Sequence, residues 1–192
     1  MPMKEGLKEL ISNKNYVLLF FSYILIYGVH CAIGAVYSNL AGSYGYSFYS
    51  NSICCLIYLV GGILNSFVFG SILDKYQNYR KLVILINILA IVTNLLHSIS
   101  LPLKNPFVEA VCMLLLGFSL VPMVSVGFAF SVELAFPVPE AITNGMMLMI
   151  GLVWGTVMSF ICSILQSSSG LYALALWLAC SIISLMISIF IK

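Results

Sequence analysis

Six long apolar runs, separated by short polar breaks, lay out this chain. They cover 16–40, 50–73, 82–101, 107–132, 141–165 and 171–191. A bilayer core takes about 20 apolar residues as helix, so each run is long enough to cross. The breaks are turn signals: Gly42-Ser43-Tyr44-Gly45, a polar loop around Asp74, Pro102 to Pro106, Pro137 to Pro139, and Ser167-Ser168-Ser169-Gly170. A helix satisfies its own backbone in hydrocarbon and leaves no open edge. The pattern therefore predicts an all-α integral membrane fold of six transmembrane helices. Residues 1–15, with Lys4, Glu5, Lys8, Glu9 and Lys14, are expected as a cytoplasmic N-terminal segment and 16–192 as the transmembrane domain. The segment does not read as a cleavable signal, because the run behind it is long enough to span.

Composition agrees with the pattern. The chain is 62% hydrophobic and 7% charged, whereas soluble domains carry about 25% charged residues. Most of its surface must face lipid. A net charge of +2 offers no footing for nucleic acid. The six cysteines, Cys31, Cys54, Cys55, Cys112, Cys162 and Cys180, all lie inside apolar runs. Their spacing fits neither a zinc site nor a disulfide framework, so small buried hydrophobes are expected, with no metal or cofactor. No phosphate loop, nucleophile elbow or zinc-protease motif is present, and no enzyme is expected.

Charge sets the orientation. With six spans, Lys4, Lys8, Lys14, Lys75, Arg80, Lys81 and Lys192 fall on one side and Lys104 alone on the other. Cytoplasmic loops carry the excess of lysine and arginine, so both termini and the Asp74 loop are expected in the cytoplasm. The plasma membrane is favoured over an organelle.

Within the spans, Tyr23, Tyr27, His30, Gly34 and Tyr37 are spaced 4, 3, 4 and 3 and share one helix face. Tyr23, Tyr27 and His30 are the candidate solute-binding residues, as a cavity wall whose rings hold a cation. The alternative is an aromatic stripe that packs on neighbouring helices. Asn65 needs a partner on another helix, and Gly151 with Gly155 forms a small-xxx-small contact with some neighbour. Asn87 and Asn94, and the stripe Trp177, Ser181, Ser184 and Ser188, are expected as helix-packing positions. Pro122 removes a backbone donor and predicts a kink. The six acids stand at or near interfaces, which argues against a proton relay in this chain and favours uniport. Asp74, Lys75, Arg80 and Glu133 gather at one set of helix ends. They are expected as a cytoplasmic latch in which Arg80 or Lys75 pairs with Glu133 and Asp74 meets a helix N-terminus.

The stretch Gly70, Asp74, Lys75, Arg80 and Lys81 resembles the Gly-x-x-x-Asp-Arg/Lys…Arg-Arg/Lys signature of the major facilitator superfamily. The segment Gly127-Phe128-Ala129-Phe130-Ser131-Val132-Glu133-Leu134-Ala135-Phe136-Pro137-Val138-Pro139-Glu140, with Gly145 after it, is similar to one in the feline leukaemia virus subgroup C receptor-related transporters. So is Tyr16-Val17-Leu18-Leu19…Ser22-Tyr23. The resemblance covers nearly the whole chain and implies the C-terminal half, helices seven to twelve, of a twelve-helix transporter. It implies transport of choline, ethanolamine or haem-like solutes, with Gly70 among the gate residues. It also places Cys31 and Leu152 where that family uses a tyrosine and a glutamine to cradle choline, with Tyr27 and His30 nearby as substitutes.

Two functions follow as expectations. In the first, the chain moves a small organic solute by alternating access, rocking against a second six-helix half. That half is another chain, a second copy, or sequence beyond this one. In the second, the chain is a degenerate half that serves as a membrane interaction subunit without transport. A channel ranks below both, since no filter or acidic pore lining is visible.

Overall fold

The computed structural model describes residues 3–191. Lys192, counted among the cations of the Asp74 side, lies outside the described residues, as do Met1 and Pro2 of the N-terminal segment. The helices run α1 Met3–Ser12, α2 Lys14–Ser43, α3 Phe48–Tyr76, α4 Tyr79–Ser100, α5 Pro106–Leu120, α6 Pro122–Ala135, α7 Glu140–Ser168 and α8 Gly170–Ile189. A 3-10 turn, Leu101–Leu103, extends α4. Six stretches are long and apolar enough to cross a membrane: α2, α3, α4 with its turn, α5 and α6 together, α7 and α8. The fold is an all-helical membrane bundle, consistent with one half of a twelve-helix facilitator.

The helices overrun their apolar runs by one to three residues, except that α4 gives way to its 3-10 turn after Ser100 and α8 stops at Ile189. Polar caps just outside the runs account for four of the N-terminal extensions. Asn13 accepts from the Asn15 and Tyr16 amides, Ser47 from Ser50, Asn105 from Phe107 and Val108, and Ser169 from Leu171. These four helices begin at a side chain able to satisfy their free amides, whereas α4, α6 and α7 start without a side-chain cap. The N-terminal segment is itself largely helical. Leu10 of α1 is buried, and Gly6 backs onto Ile142 of α7. Asn13 then donates from Nδ2 to the Leu134 carbonyl at 2.7 Å, pinning the start of α2 to the end of α6.

Helix α2 is central, packing on α7, α8 and α6, while α3 packs on α5 and α4 on both α5 and α8. The neighbour of Gly151 and Gly155 is α2. A Cβ added to Gly155 would come within 2.7 Å of Cys31 Sγ, so glycine sets the approach of these two helices. At Gly117 of α5, a Cβ would overlap the Tyr58 carbonyl of α3. Helix α8 meets its neighbours through hydroxyls and amides. Ser184 Oγ lies 2.8 Å from Ser22 Oγ and within reach of Asn87 Oδ1, and Asn94 donates to Ser181 Oγ at 3.1 Å. The serine stripe and both asparagines are thus the packing seam their spacing predicts.

Pro122 and Asn65 turn out to be one device. The helix breaks between α5 and α6 at Val121. Proline has no amide hydrogen, so the Phe118 carbonyl four residues back loses its helical donor. Asn65 Nδ2 of α3 donates to that carbonyl at 2.5 Å. The amide nitrogen of a side chain that needed a partner in lipid meets a carbonyl that lost one.

Candidate functional site

The aromatic face of α2 divides along its length. Tyr23 is fully buried, stacked on Tyr27 with ring centroids 5.4 Å apart and flanked by Phe128 at 5.7 Å. Tyr27 and His30 are half-buried, with centroids 6.0 Å apart. His30 lies against Tyr58 of α3, its Nδ1 2.6 Å from the phenol oxygen and its ring stacked at 5.7 Å. Tyr23, Tyr27, His30 and Tyr58 therefore form one continuous run of rings, buried at Tyr23 and Tyr58 and half-buried at Tyr27 and His30 between them. Of the four, His30 and Tyr58 border a cavity of about 240 Å³, lined also by Cys31 and Gly34 of α2, Cys55 of α3 and Met113 of α5; Tyr27 stands outside that lining. Tyr37, the last member of the face, is buried elsewhere in a polar cluster.

Chemically, this cavity offers ring faces, one imidazole, two thiols and no carboxylate. Such a lining suits a solute held by cation–π and van der Waals contact rather than by an ion pair. Cys31 is half-buried on the cavity wall, and Leu152 on α7 is 51% exposed, so neither supplies a polar grip there. Tyr58 was not singled out by spacing. Its signal was weak: one phenol inside an apolar run, three residues before Gly61.

The Asp74 loop is arranged differently from the latch its charges suggest. Asp74, Lys75, Arg80 and Glu133 are all exposed. The pairing of Arg80 or Lys75 with Glu133 is not made. Arg80 Nη2 instead donates to the Ile189 carbonyl at the end of α8, at 2.8 Å. The last carbonyls of a helix lack intrahelical donors and attract a cation, and that end lies within reach of Arg80. Lys75 rests over the Tyr76 ring, 5.4 Å from its centroid. Tyr79 stacks on Phe130 at 5.5 Å, so the loop does dock beside α6. Nothing of this chain lies within 4 Å of a Cβ added to Gly70, which leaves that side of α3 open.

Among the described residues the single ion pair is one the charge pattern did not expose. Glu109 on α5 and His97 on α4 are both completely buried, with Oε1 3.0 Å from Nδ1. Tyr37 donates to Glu109 Oε1 at 3.2 Å and Ser100 to Oε2 at 2.7 Å. Placing all six acids at interfaces holds for Glu109 only in depth, because the residue is one turn inside α5 but faces the bundle interior. A signal existed in the sequence. His97 stands six residues before Leu103 and Glu109 six after it, so a tight hairpin centred there brings them level.

Comparison with profiles of known protein families finds no match. Individual proteins do match. An uncharacterized MFS-type transporter of Caenorhabditis elegans is 25% identical over 195 residues, 97% of this chain and 32% of that protein. Its relatives are facilitator-type transporters. Solute carrier family 49 member A3 of Xenopus tropicalis is 25% identical over 160 residues, covering 81% of this chain and 33% of its own length. The choline/ethanolamine transporter FLVCR2 of Homo sapiens is 24% identical over 153 residues, 79% of this chain and 29% of its length. The chain thus spans about a third of the length of the curated facilitator relatives it matches.

Proposed function

We propose that this chain is one six-helix half of a facilitator-type transporter that moves a small organic solute by alternating access. The solute, choline-like or ethanolamine-like by analogy with the relatives, would sit against Tyr27 and His30, with Tyr23 behind them and Tyr58 completing the wall. The observation that carries this reading is the half-open aromatic stack beside the 240 Å³ cavity. Lipid-facing helix surfaces are aliphatic, whereas this strip of α2 continues through exposed Gly34, Ala35, Ser38 and Asn39. Polar and small residues on an uncovered transmembrane face belong against protein or a water-filled path. A second half would cover it, and the open side of Gly70 supports the same need at the Asp74 end.

The gate is part of this proposal. Gly70 would admit a helix of the second half, and Asp74, Lys75, Arg80 and Glu133 would meet its helix ends in one of two nearly balanced states. The orientation that puts both termini in the cytoplasm rests on the lysine and arginine bias alone.

A second reading is a half that binds partners without transport. Cys31 and Leu152, standing where the resembling family uses its choline-cradling residues, favour it. Uptake of labelled choline and ethanolamine by cells expressing the chain separates the two. Uptake above vector that falls in Tyr27→Ala and His30→Ala supports transport. Uptake at vector level, with the chain present in the membrane, supports the second reading. The length of the native product on a denaturing gel then tells whether the second half lies on the same chain.

A further inference from the structure

We propose that His97 and Glu109 form a proton-binding site, with the proton carried on Nε2 of His97. Both side chains are sealed from solvent. The carboxylate oxygens accept from two hydroxyl donors, Tyr37 from α2 and Ser100 at the end of α4. Hydrogen bonds to the charged form of an acid favour that form. The imidazole is placed to balance it, with Nδ1 3.0 Å from Oε1, but it makes no aligned hydrogen bond, and Nε2 has no protein partner.

Count the charge. A neutral imidazole that keeps its N–H at Nδ1, toward the carboxylate, leaves a lone pair at Nε2 and a cluster of net charge minus one. A proton taken from water onto that lone pair brings the cluster to zero, and its release returns an uncompensated carboxylate to a sealed site. An unpaired buried charge is the most expensive group a bundle can hold. One proton therefore decides whether this part of the bundle is stable closed or must admit water.

The surroundings fit a ring that becomes a cation. His97 has two aromatic neighbours, Tyr37, tilted with centroids 5.9 Å apart, and Trp177 of α8, stacked at 6.1 Å and 18°. A stacked, electron-rich indole stabilises an imidazolium. The other groups near the pair carry no fixed charge. Tyr46 in the turn before α3 and Cys54 of α3 face the carboxylate, and Cys112 lies one turn along α5. Behind Trp177, Cys162 of α7 accepts the indole N–H at 3.2 Å. Lys104 is exposed on the connecting loop, and among the described residues no lysine or arginine is within ion-pair distance of Glu109. Tyr37 belongs to the helix that carries Tyr27 and His30, so the proton state at this end bears on the helix that lines the cavity. The site binds its proton whether or not the chain moves a solute.

Trp177 gives a readout that needs no substrate. A protonated imidazole stacked on an indole quenches its emission, and the chain has two tryptophans, Trp154 and Trp177. The full chain in lipid nanodiscs, as wild type and as Trp154→Phe, is titrated over about pH 5 to 9, the range in which a histidine titrates. The expected result is a sigmoidal loss of emission as pH falls, retained in Trp154→Phe and absent in Trp177→Phe. His97→Phe keeps a ring against the indole but takes no proton, and the curve becomes flat. Glu109→Gln removes the balancing anion and moves the midpoint down. A flat curve in the wild-type chain overturns the proposal and leaves the pair a static tie between α4 and α5. A transition that survives His97→Phe overturns it equally, because the proton then sits elsewhere.

Discussion

At the end of the bundle that carries Asp74, the charges of Lys4, Lys8, Lys75, Lys81, Asp74 and Glu133 are exposed, and no ion pair forms among the described residues. At the other end, one glutamate and one histidine are fully enclosed, with two hydroxyls and two aromatic rings around them. The first end has most of the charge and little of its interaction energy. The second has almost none of the exposed charge and the costliest polar arrangement in the bundle. Exposed ions keep their hydration and gain little from one another, whereas enclosed ions depend on each partner they have. Charge density along the chain therefore marks where the bundle ends, while burial marks where a change of charge matters.

The largest expected break is at the enclosed end. Glu109→Ala leaves His97 without its anion and frees the Tyr37 and Ser100 hydroxyls. Breaking a buried pair from one side costs about 3–5 kcal/mol. Detergent-driven unfolding of the purified chain measures it. The paired change His97→Phe with Glu109→Leu is expected to cost less than the single one, since no orphaned charge remains.

Next comes Tyr37→Phe, which keeps the ring against His97 and removes one donor to the carboxylate. A hydrogen bond to a charged group is worth about 1.5–3 kcal/mol. The same unfolding measurement is expected to show a loss in that range. A loss near zero would mean that Ser100 and His97 already satisfy the carboxylate.

These two residues also show what the amino-acid pattern could and could not convey. Hydropathy reports depth along a helix axis, so the spans, the breaks and the need of Asn65 for a partner were all readable. It does not report the direction a side chain faces, and Glu109 looked interfacial because only its depth was visible. The 4-3-4-3 spacing from Tyr23 to Tyr37 put five residues on one face. An α-helix drifts about 20° for every seven residues of such a repeat. Over two repeats the face turns, which is how Tyr23 ends in the core, Tyr27 half-buried beside it, His30 at a cavity edge, and Tyr37 in the Glu109 cluster. The partner of Arg80 was hidden for another reason. A helix C-terminus attracts a cation through its backbone, and no side chain announces it.

At the exposed end, Arg80→Ala removes the donor to the Ile189 carbonyl. An interaction of this kind at an exposed helix end contributes under about 1 kcal/mol. The expected unfolding change is small, and it should shrink further at high salt because exposed interactions are screened. An effect as large as that of Tyr37→Phe would erase the contrast between the two ends.

Asp74→Asn is expected to do least to the chain itself. Asp74 is exposed and forms no ion pair among the described residues, so removing its charge takes away no contact that the six helices need. Its place, four residues after Gly70 on the same side of α3, gives it a role only where a second half closes over that helix end. The same substitution should therefore be silent in unfolding of the isolated chain and visible in the inward–outward balance once two halves are assembled. Accessibility of a cysteine introduced at Gly34, with and without Asp74→Asn, reads that balance. Equal labelling in the assembled transporter would remove Asp74 from the gate and leave it a marker of the bundle end, with its hydration as its only partner.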